Sequence, residues 1–389
     1  MKFKSFKLFY AFAFIISASC SSNNDAIIDT NTIPKANVIQ NYAKIVFSSY
    51  QTAMTDLENL QTAINTFAAN PTDANFSTAK GAWKTARESY GPTEAYRFAN
   101  GPIDATDGPE GLLNAWPLDE NYVDYVTGSP NSGIINDLTT YPSINKSVLE
   151  GLNEVGGEAN ISVGYHAIEF LLWGQDNTVP SAQLNGQRPY TDFVDGGTAS
   201  NQDRRRDYLV ACADLLIDHL QLMIDEWQTG GTYRTTFLSL DENTALKNIL
   251  TAIATLSKSE LGGERIFVAY DNQDQEDEHS CFSDNTHRDI RLNLDGIANV
   301  FRGSYRTING SSLEDLITET NPTLGAQITA QLIAAESAVN ATAIPFDFAI
   351  SDASERPLVL SSVNALQDLG DKFVEGGTAL GLSISSELP

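Results

Sequence analysis

Apolar residues recur at intervals of three and four positions along most of the chain, with polar residues between them. This spacing places the apolar side chains on one face of an α-helix, so it predicts amphipathic helices packed around a core. No segment shows the sustained alternation of apolar and polar residues that is typical of a strand. The predicted fold is therefore all-α. The predicted long helices span residues 38–67, 73–89, 202–227, 242–270, 284–305, 323–341 and 358–376.

Polar, glycine-rich or proline-containing segments separate these helices. Pro71 ends the first helix, Pro92 is expected to kink or end the second, and Ser162 can cap a helix that runs to Trp173. Residues 101–142 are rich in Gly, Pro and Asp and lack a helical pattern. Because irregular segments of that length are usually functional, this insertion is expected to serve or cover a site.

Gly230 and Gly231 interrupt the helical pattern near the middle of the chain. About four long helices precede this break and about four follow it, which suggests two helical bundles related by duplication. The halves do not align residue by residue. The predicted domains are an N-terminal bundle at 34–230, which contains the irregular 101–142 insertion, and a C-terminal bundle at 231–389.

The first nineteen residues have the features of a bacterial export signal. Lysines precede an apolar run at 8–16, and small residues follow it up to Cys20. The segment 1–19 resembles a lipoprotein signal peptide, which implies cleavage before Cys20 and attachment of a lipid to that cysteine. An uncleaved membrane anchor is the alternative, but the apolar run is shorter than the roughly 20 residues that span a bilayer. Residues 20–33 are predicted to be a flexible tether.

Acidic residues outnumber basic ones by 50 to 24, and the formal net charge is −26. Such a charge argues against nucleic acid as a partner and against binding of anionic lipid through the protein surface. It is compatible with attracting cations, although a solvated acidic surface explains most of these side chains. Beyond Cys20 only Cys212 and Cys281 remain, and nothing in their spacing requires a disulfide. Cys212 lies within the apolar pattern of a helix and is expected to be buried.

The segment Gly164-x-His166-x-x-Glu169 carries the most informative chemistry of the chain. His166 and Glu169 are three residues apart, so a helix presents the imidazole and the carboxylate on one face. The pair would form half of a metal site, with the remaining ligands supplied by a distant segment. The alternative is a partly buried histidine whose hydrogen bonds are satisfied by Glu169 itself.

A second polar cluster lies at residues 278–287 and contains two of the four histidines of the chain, His279 and His287. Asp284 and His287 are candidate ligands that would complete the site. Two alternatives stay open, since Asp284 can cap the amides of the next helix and His287 can be a surface residue. His279 follows a run of acidic residues, which indicates a solvated loop. His219 has no partner pattern and is assigned no role.

Two further pairs of residues are weaker candidates for lining a site. Glu94 and Arg97 follow Pro92 and share a helix face, although an exposed ion pair would show the same spacing. Glu264 and Arg265 follow two glycines that interrupt a long apolar helix. Each such glycine costs about 1 kcal/mol unless packing or a site requires it.

Three segments together resemble imelysin-like proteins, namely the Gly164-x-His166-x-x-Glu169 motif, residues 90–94 and the block 278–287. The resemblance covers nearly the whole chain after the signal. It implies two helical bundles from a duplication, a site at their junction, a location in the bacterial envelope and a role in iron uptake or regulation. It also favours ligation by His166. The candidate site then consists of His166, Glu169, Asp284 and His287 as metal or ligand contacts, lined by Glu94, Arg97, Glu264, Arg265, Ser283 and Asn285.

The same resemblance implies a metallopeptidase, because the family has been placed in that class. Thermolysin-like enzymes carry H-E-x-x-H on one helix, and neither this segment nor the inverse H-x-x-E-H occurs in the chain. A di-iron carboxylate bundle is also a poor fit, since it needs two E-x-x-H pairs and two further glutamates. The leading hypothesis is therefore binding of iron, or of an iron-bearing ligand such as a ferric chelate. Zinc is the alternative metal.

The predicted protein is thus a lipid-anchored envelope protein that takes part in iron uptake, with uptake-system proteins as further partners. Ser21, directly after Cys20, implies the outer membrane by the resemblance to lipoproteins, with the protein facing the periplasm or the cell surface. Two alternatives stay open, a metal-dependent peptidase and a structural envelope protein with an inactive site. A peptidase would need an open metal position, a placed water and a general base.

Overall fold

The first described helix begins at Lys35, directly after the predicted tether. The structure is a computed structural model, and it describes residues 32–388. The predicted signal peptide at 1–19, the predicted lipid attachment at Cys20 and nearly all of the predicted tether at 20–33 lie outside the described residues.

Helices account for most of the described residues, so the predicted all-α class is confirmed. Short 3₁₀ helices and one π-helical segment, Leu256–Phe267, connect several of them. None of the helices between residues 32 and 388 combines the length and apolar character needed to cross a membrane. The α-helices are α1 (Lys35–Ala69), α2 (Asp73–Tyr90), α3 (Glu110–Leu113), α4 (Glu120–Val123), α5 (Lys146–Glu150), α6 (Gly164–Trp173), α7 (Gln202–Trp227), α8 (Thr232–Ser239), α9 (Glu242–Thr255), α10 (Val268–Asn272), α11 (Thr286–Arg302), α12 (Leu313–Thr320), α13 (Pro322–Asn340), α14 (Phe346–Ser351) and α15 (Arg356–Ala379).

The ends of several helices follow from local sequence. The side chain of Thr72 caps α2, and Ser312 with Asp315 forms a capping box at α12. Beyond α11, a two-stranded antiparallel pair forms between Ser304–Tyr305 and Ile308–Asn309. Its two strands form the one sheet among the described residues. Each strand is too short to show the alternating pattern that predicts strands.

Two local predictions meet different outcomes in the structure. The expected break at Pro92 is confirmed, because α2 ends at Tyr90 and a 3₁₀ helix, Gly91–Tyr96, follows. The expected cap by Ser162 is wrong, since α6 begins at Gly164 and has no side-chain cap. The Ser162 hydroxyl instead donates to the carbonyl of Leu149 at 2.7 Å, a tertiary hydrogen bond that local spacing does not reveal.

The predicted helix at 242–270 consists of α9, the π-helical segment Leu256–Phe267 and α10. A Cβ atom on Gly262 would lie 3.4 Å from Cβ of Leu366 on α15 and 3.1 Å from the carbonyl oxygen of Ser257. The glycine therefore permits close packing of the two helices. Helical segments with π geometry occur frequently at functional sites, and this one presents Arg265 to the interior, where it is buried.

Packing of the helices joins the two sides of the Gly230 break. Helix α1 packs against α2 and α7, and α15 packs against α13, α9 and the π-helical segment. Residues Gly91–Tyr96 pack against α11, and α1 also contacts α9. From Ile33 on the chain forms one compact unit. The division into bundles at 34–230 and 231–389, and their origin by duplication, stay predictions.

Candidate functional site

The glycine of the Gly164-x-His166-x-x-Glu169 motif is required by the backbone at the start of α6. Gly164 has a φ of 89°, a conformation that side chains with a Cβ rarely adopt. A Cβ atom there would lie 2.8 Å from the carbonyl oxygen of Leu113 on α3. Gly164 therefore lets the start of α6 approach α3 closely. Every residue of α6 is buried, so His166 and Glu169 are held in the interior.

Glu169 uses both of its carboxylate oxygens within the protein. Its Oε2 lies 2.9 Å from Nδ1 of His166, and its Oε1 accepts hydrogen bonds from the amide and hydroxyl of Ser283 at 3.0 and 2.6 Å. Nε2 of His166 is buried and has no hydrogen-bond partner among the described residues. The predicted pair on one helix face is therefore present, but Glu169 holds the ring of His166 while Nε2 is the atom left for a ligand.

His279 forms a second carboxylate-held histidine beside the first. Its Nδ1 lies 2.9 Å from Oδ2 of Asp289 on α11, which leaves Nε2 as the ring nitrogen available to a ligand. The rings of His279 and His166 lie nearly perpendicular, with their centroids 4.7 Å apart. The expectation of a solvated loop is wrong for His279, whose exposure is only 4%. The three residues after His279, Ser280–Phe282, carry no charge, and all three are buried. Their lack of charge is the feature of the sequence that could have indicated burial.

Asp289 is fixed by a buried arginine that the sequence did not single out. Arg87 on α2 forms an ion pair with Asp289 at 3.1 Å, and Ser280 donates to the other carboxylate oxygen at 2.5 Å. Burial alone would raise the pKa of Asp289. The Arg87 guanidinium and the bonds from His279 and Ser280 outweigh that effect and hold the pKa well below its usual value. Asp289 is therefore a buried anion that orients His279.

A chain of polar contacts extends from this ion pair to Glu94. Arg87 donates to the side-chain oxygen of Asn114, and the Asn114 amide donates to Glu94 at 3.2 Å. Glu94 also forms ion pairs with Arg265 at 2.6 Å and with Arg97 at 3.6 Å. Burial opposes its ionisation, but these two arginines lower the pKa of Glu94 to about 2. The predicted Glu94–Arg97 pair thus exists, and its carboxylate is buried instead of exposed.

An acidic cavity of about 510 Å³ opens beside the histidine pair. His279 lines it, and the ring of Trp116, another lining residue, lies 5.1 Å from that of His166. Arg97, Glu264 and Arg265 line it as well. The remaining carboxylates of its wall are Glu110, Glu154, Glu158, Glu260 and Asp277.

Burial controls the protonation of the central groups. It lowers the pKa of His166, with a further effect of His279, and it also lowers the pKa of His279, with a further effect of Arg265. Both imidazoles are therefore neutral near pH 7, and each has a lone pair on one ring nitrogen; on His166 this nitrogen is Nε2 when Glu169 is ionised and accepts from Nδ1. Burial raises the pKa of Glu169 to about 8, although the two hydrogen bonds from Ser283 act in the opposite direction.

The remaining predicted residues lie in different surroundings. Asp284 does not cap α11, whose cap residue is Asn285 and has no side-chain cap bond. A carboxylate oxygen of Asp284 instead lies within 4.8 Å of those of Asp176 and Asp347. His287 is half-buried, and its Nδ1 lies 3.0 Å from the carbonyl oxygen of Asp284. The structure thus brings His166, Glu169 and Ser283 together with His279, while Asp284 belongs to a separate acidic group.

The helical fold and the buried, carboxylate-held histidines beside an acidic cavity define an all-α protein with an enclosed polar site. Residues 46–373 match the family model described as Imelysin. The chain therefore belongs to the imelysin family, as the motifs predicted.

Two relatives extend this comparison. The chain is 25% identical over 339 residues to "Iron-regulated protein A" of Synechococcus elongatus, a match that covers 84% of this chain and 81% of that protein. A crystal structure of a candidate iron-regulated protein A precursor from Parabacteroides distasonis superposes with a TM-score of 0.69. That match covers 90% of this chain and 97% of the other, and its 18% identity supports the common fold alone.

Proposed function

We propose that this imelysin-type protein binds an iron ion, or a compound that carries iron, in the cavity beside His166 and His279. The observation that carries the proposal is the buried, unpartnered Nε2 of His166 next to a second carboxylate-held imidazole. An unpaired buried polar atom is costly, and a ligand at that atom would remove the cost. The relative named "Iron-regulated protein A" supports iron as the metal.

The donor set fits iron or zinc better than a hard alkaline-earth ion. Imidazole nitrogens are suitable ligands for both iron and zinc. A bond from zinc to such a nitrogen is about 2.0–2.1 Å long. A centroid separation of 4.7 Å brings the two rings close enough to reach a single ion. Glu169 and Asp289 would then act as the outer partners that fix each ring, an arrangement that metal-binding histidines commonly show.

The cavity wall suggests how a cation or its chelate would be held. Six carboxylates, those of Glu110, Glu154, Glu158, Glu260, Glu264 and Asp277, line the cavity and would attract a cation. Arg97 and Arg265 line it too and could contact acidic groups of a chelating compound. A volume of about 510 Å³ leaves room for a small chelate as well as for a bare ion.

Two acidic groups whose pKa values would suit a general base, Glu110 and Glu169, are both engaged within the protein. Burial raises the pKa of Glu110 to about 7, a value suited to a base. The carboxylate of Glu110, however, forms an ion pair with Arg97 at 3.2 Å. Glu169 is engaged by His166 and Ser283. These contacts favour binding over hydrolysis.

The cellular setting completes the proposal. Cleavage before Cys20 and attachment of a lipid would hold the protein to a membrane of the envelope, with the outer membrane as the proposed location. There it would bind iron or a ferric chelate as part of uptake and contact proteins of the uptake system. A structural protein with an inactive site is the remaining alternative, and it predicts no saturable iron binding.

Titration calorimetry tests the proposal with ferrous ion under anaerobic conditions and, separately, with ferric citrate. The wild type should bind at least one of these probes saturably. The His166→Ala/His279→Ala variant should lose that binding. His219→Ala is the matched control, because His219 is also a buried histidine whose Nε2 has no hydrogen-bond partner among the described residues, but it lies on α7, 3.5 Å from Glu150. Equal binding by all three proteins, or none by the wild type, would contradict the proposal. A peptide-cleavage assay on the metal-loaded protein would identify the peptidase alternative.

A further inference from the structure

A second group of acidic side chains lies apart from the histidine pair. Asp176 follows α6, Asp284 precedes α11 and Asp347 lies on α14, so the group joins three segments that are far apart in sequence. One carboxylate oxygen from each residue lies within 4.8 Å of those of the other two. The chain therefore brings three carboxylates to one point.

Two of these carboxylates have a buried oxygen with no partner. Asp176 is 3% exposed, and its Oδ1 accepts hydrogen bonds from the amide and hydroxyl of Thr178, both at 2.9 Å. Asp347 is 2% exposed, and its Oδ1 accepts from the amide of Phe348 at 2.6 Å. Oδ2 of each aspartate is buried without a partner among residues 32–388. Oε1 of Glu278, a buried glutamate whose pKa is raised by burial and by the charges of these aspartates, is also unpartnered among the described residues.

Several other buried carboxylates among the described residues are paired with arginines. Asp124 contacts Arg188 and Arg205, and Asp289 contacts Arg87. Within the described part of the chain, Asp176, Asp284 and Asp347 form no ion pair with lysine, arginine or histidine. Three neighbouring carboxylates without a counter-charge repel one another, and burial strengthens that repulsion.

We propose that Asp176, Asp284 and Asp347 bind a divalent cation of the calcium type. Calcium takes oxygen ligands at about 2.3–2.6 Å, so two oxygens on one ion are at most about 5 Å apart. The separations within 4.8 Å satisfy this limit. Carboxylate oxygens without nitrogen or sulfur are the ligands that hard cations prefer, which separates this site from the imidazoles of the proposed iron site.

The cation would act as a cross-link between distant parts of the fold. It joins the segment after α6, the segment before α11 and helix α14. Asp284 directly follows Ser283, whose amide and hydroxyl bind Glu169. A bound ion would therefore also steady the segment that orients Glu169. The cation site itself does not depend on whether iron binds at His166.

Shared protons are the other means by which such a group could be stabilised. Burial, with repulsion from Asp347, raises the pKa of Asp284 to about 7, and burial raises the pKa of Asp347 to about 6. The test is therefore made at mildly alkaline pH, where protons compete least with a cation. Calcium chloride alone is the probe, and magnesium and manganese chlorides are compared with it.

The experiment uses the full chain after removal of metals with a chelator. Calorimetry measures calcium binding, and thermal melting measures stabilisation by millimolar calcium. The test variant is Asp176→Asn/Asp347→Asn, and its control is Asp207→Asn/Asp271→Asn, which removes two exposed acidic charges. We expect the wild type and the control to bind one calcium ion and to melt at a higher temperature in its presence. The test variant should bind about tenfold or more weakly, since charged ligands set calcium affinity, and should show no shift.

Several results would overturn the calcium assignment. These are no saturable calcium binding by the wild type, equal binding by the test variant and its control, or binding of manganese or magnesium in preference to calcium. If the double variant does not fold, Asp284→Asn is used in its place, because Asp284 is only half-buried. The same loss of calcium binding is expected. The His166→Ala/His279→Ala variant should keep its calcium binding, so failure of the iron proposal and failure of this one are distinguishable.

Discussion

Replacement of Asp289 by asparagine tests whether buried charge pairing holds the histidine pair in place. Asp289 and Arg87 are each about 1% exposed in their side chains and lie 3.1 Å apart. The substitution keeps the shape of the side chain and removes its charge, so the Arg87 guanidinium stays buried with no anion beside it. Nδ1 of His279 and the hydroxyl of Ser280 also lose a charged acceptor.

The expected magnitude follows from this burial. Removal of one partner of a buried ion pair typically costs about 3–5 kcal/mol, because an uncompensated charge is left in the interior. With an unfolding entropy of about 2.1 cal/mol/K per residue, a chain of this size should melt at a temperature lower by roughly 4–7 °C. The affinity for the imidazole-bound metal should also fall by about 10–100-fold, as for other outer partners of ligating histidines.

A double-mutant cycle with Arg87→Met provides the assay. Urea unfolding of the wild type, Asp289→Asn, Arg87→Met and the double variant gives the coupling free energy of the pair. We expect the double variant to be clearly more stable than the sum of the two single effects implies. Additive effects, or a loss below about 1 kcal/mol for Asp289→Asn, would show that the pair is not coupled as a buried ion pair, since an exposed or solvated pair contributes no more than that.

Three further predictions concern single sites. Glu94→Gln should destabilise the protein by about 3 kcal/mol at pH 7, because the pKa of Glu94 is lowered to about 2. Urea unfolding should show that this loss of stability becomes smaller below about pH 4.5. A difference between the two proteins that does not change with pH would contradict the prediction. Gly164→Ala should lower the free energy of unfolding by at least about 1–2 kcal/mol, because residue 164 has a positive φ. Thermal melting checks this, and an unchanged melting temperature would contradict it. In a Cys20→Ser background, the buried free thiols of Cys212 and Cys281 should react with a thiol reagent only after unfolding; rapid reaction of either in the native protein would count against their burial.

Local periodicity could predict those parts of the fold that short-range spacing determines. Helices α1, α2 and α7 follow from long amphipathic patterns, and the break after α2 follows from Pro92. The contact between His166 and Glu169 could be predicted for the same reason, because residues three apart on a helix share a face. The separate calcium-type group could not, since Asp176, Asp284 and Asp347 meet only through tertiary packing.

The partners of the histidines depend on long-range contacts and could not be read from spacing. Arg87 reaches Asp289 across the fold, and Ser283 reaches Glu169 from a segment 114 residues away. His279 lies next to a run of acidic residues that suggests solvent, yet Asp289 draws it into the interior. Asp289 in turn pairs with Arg87 on α2, and no pattern within the polar run indicates either of these neighbours.

Anomalous X-ray scattering can locate iron at the histidine pair itself. Crystals of the protein loaded with ferrous ion or ferric citrate would be measured at the iron absorption edge. We expect an anomalous peak next to Nε2 of His166 and Nε2 of His279, and we expect no such peak in the His166→Ala/His279→Ala variant. Iron found only at the Asp176, Asp284 and Asp347 group, or no ordered iron in the cavity, would contradict that expectation.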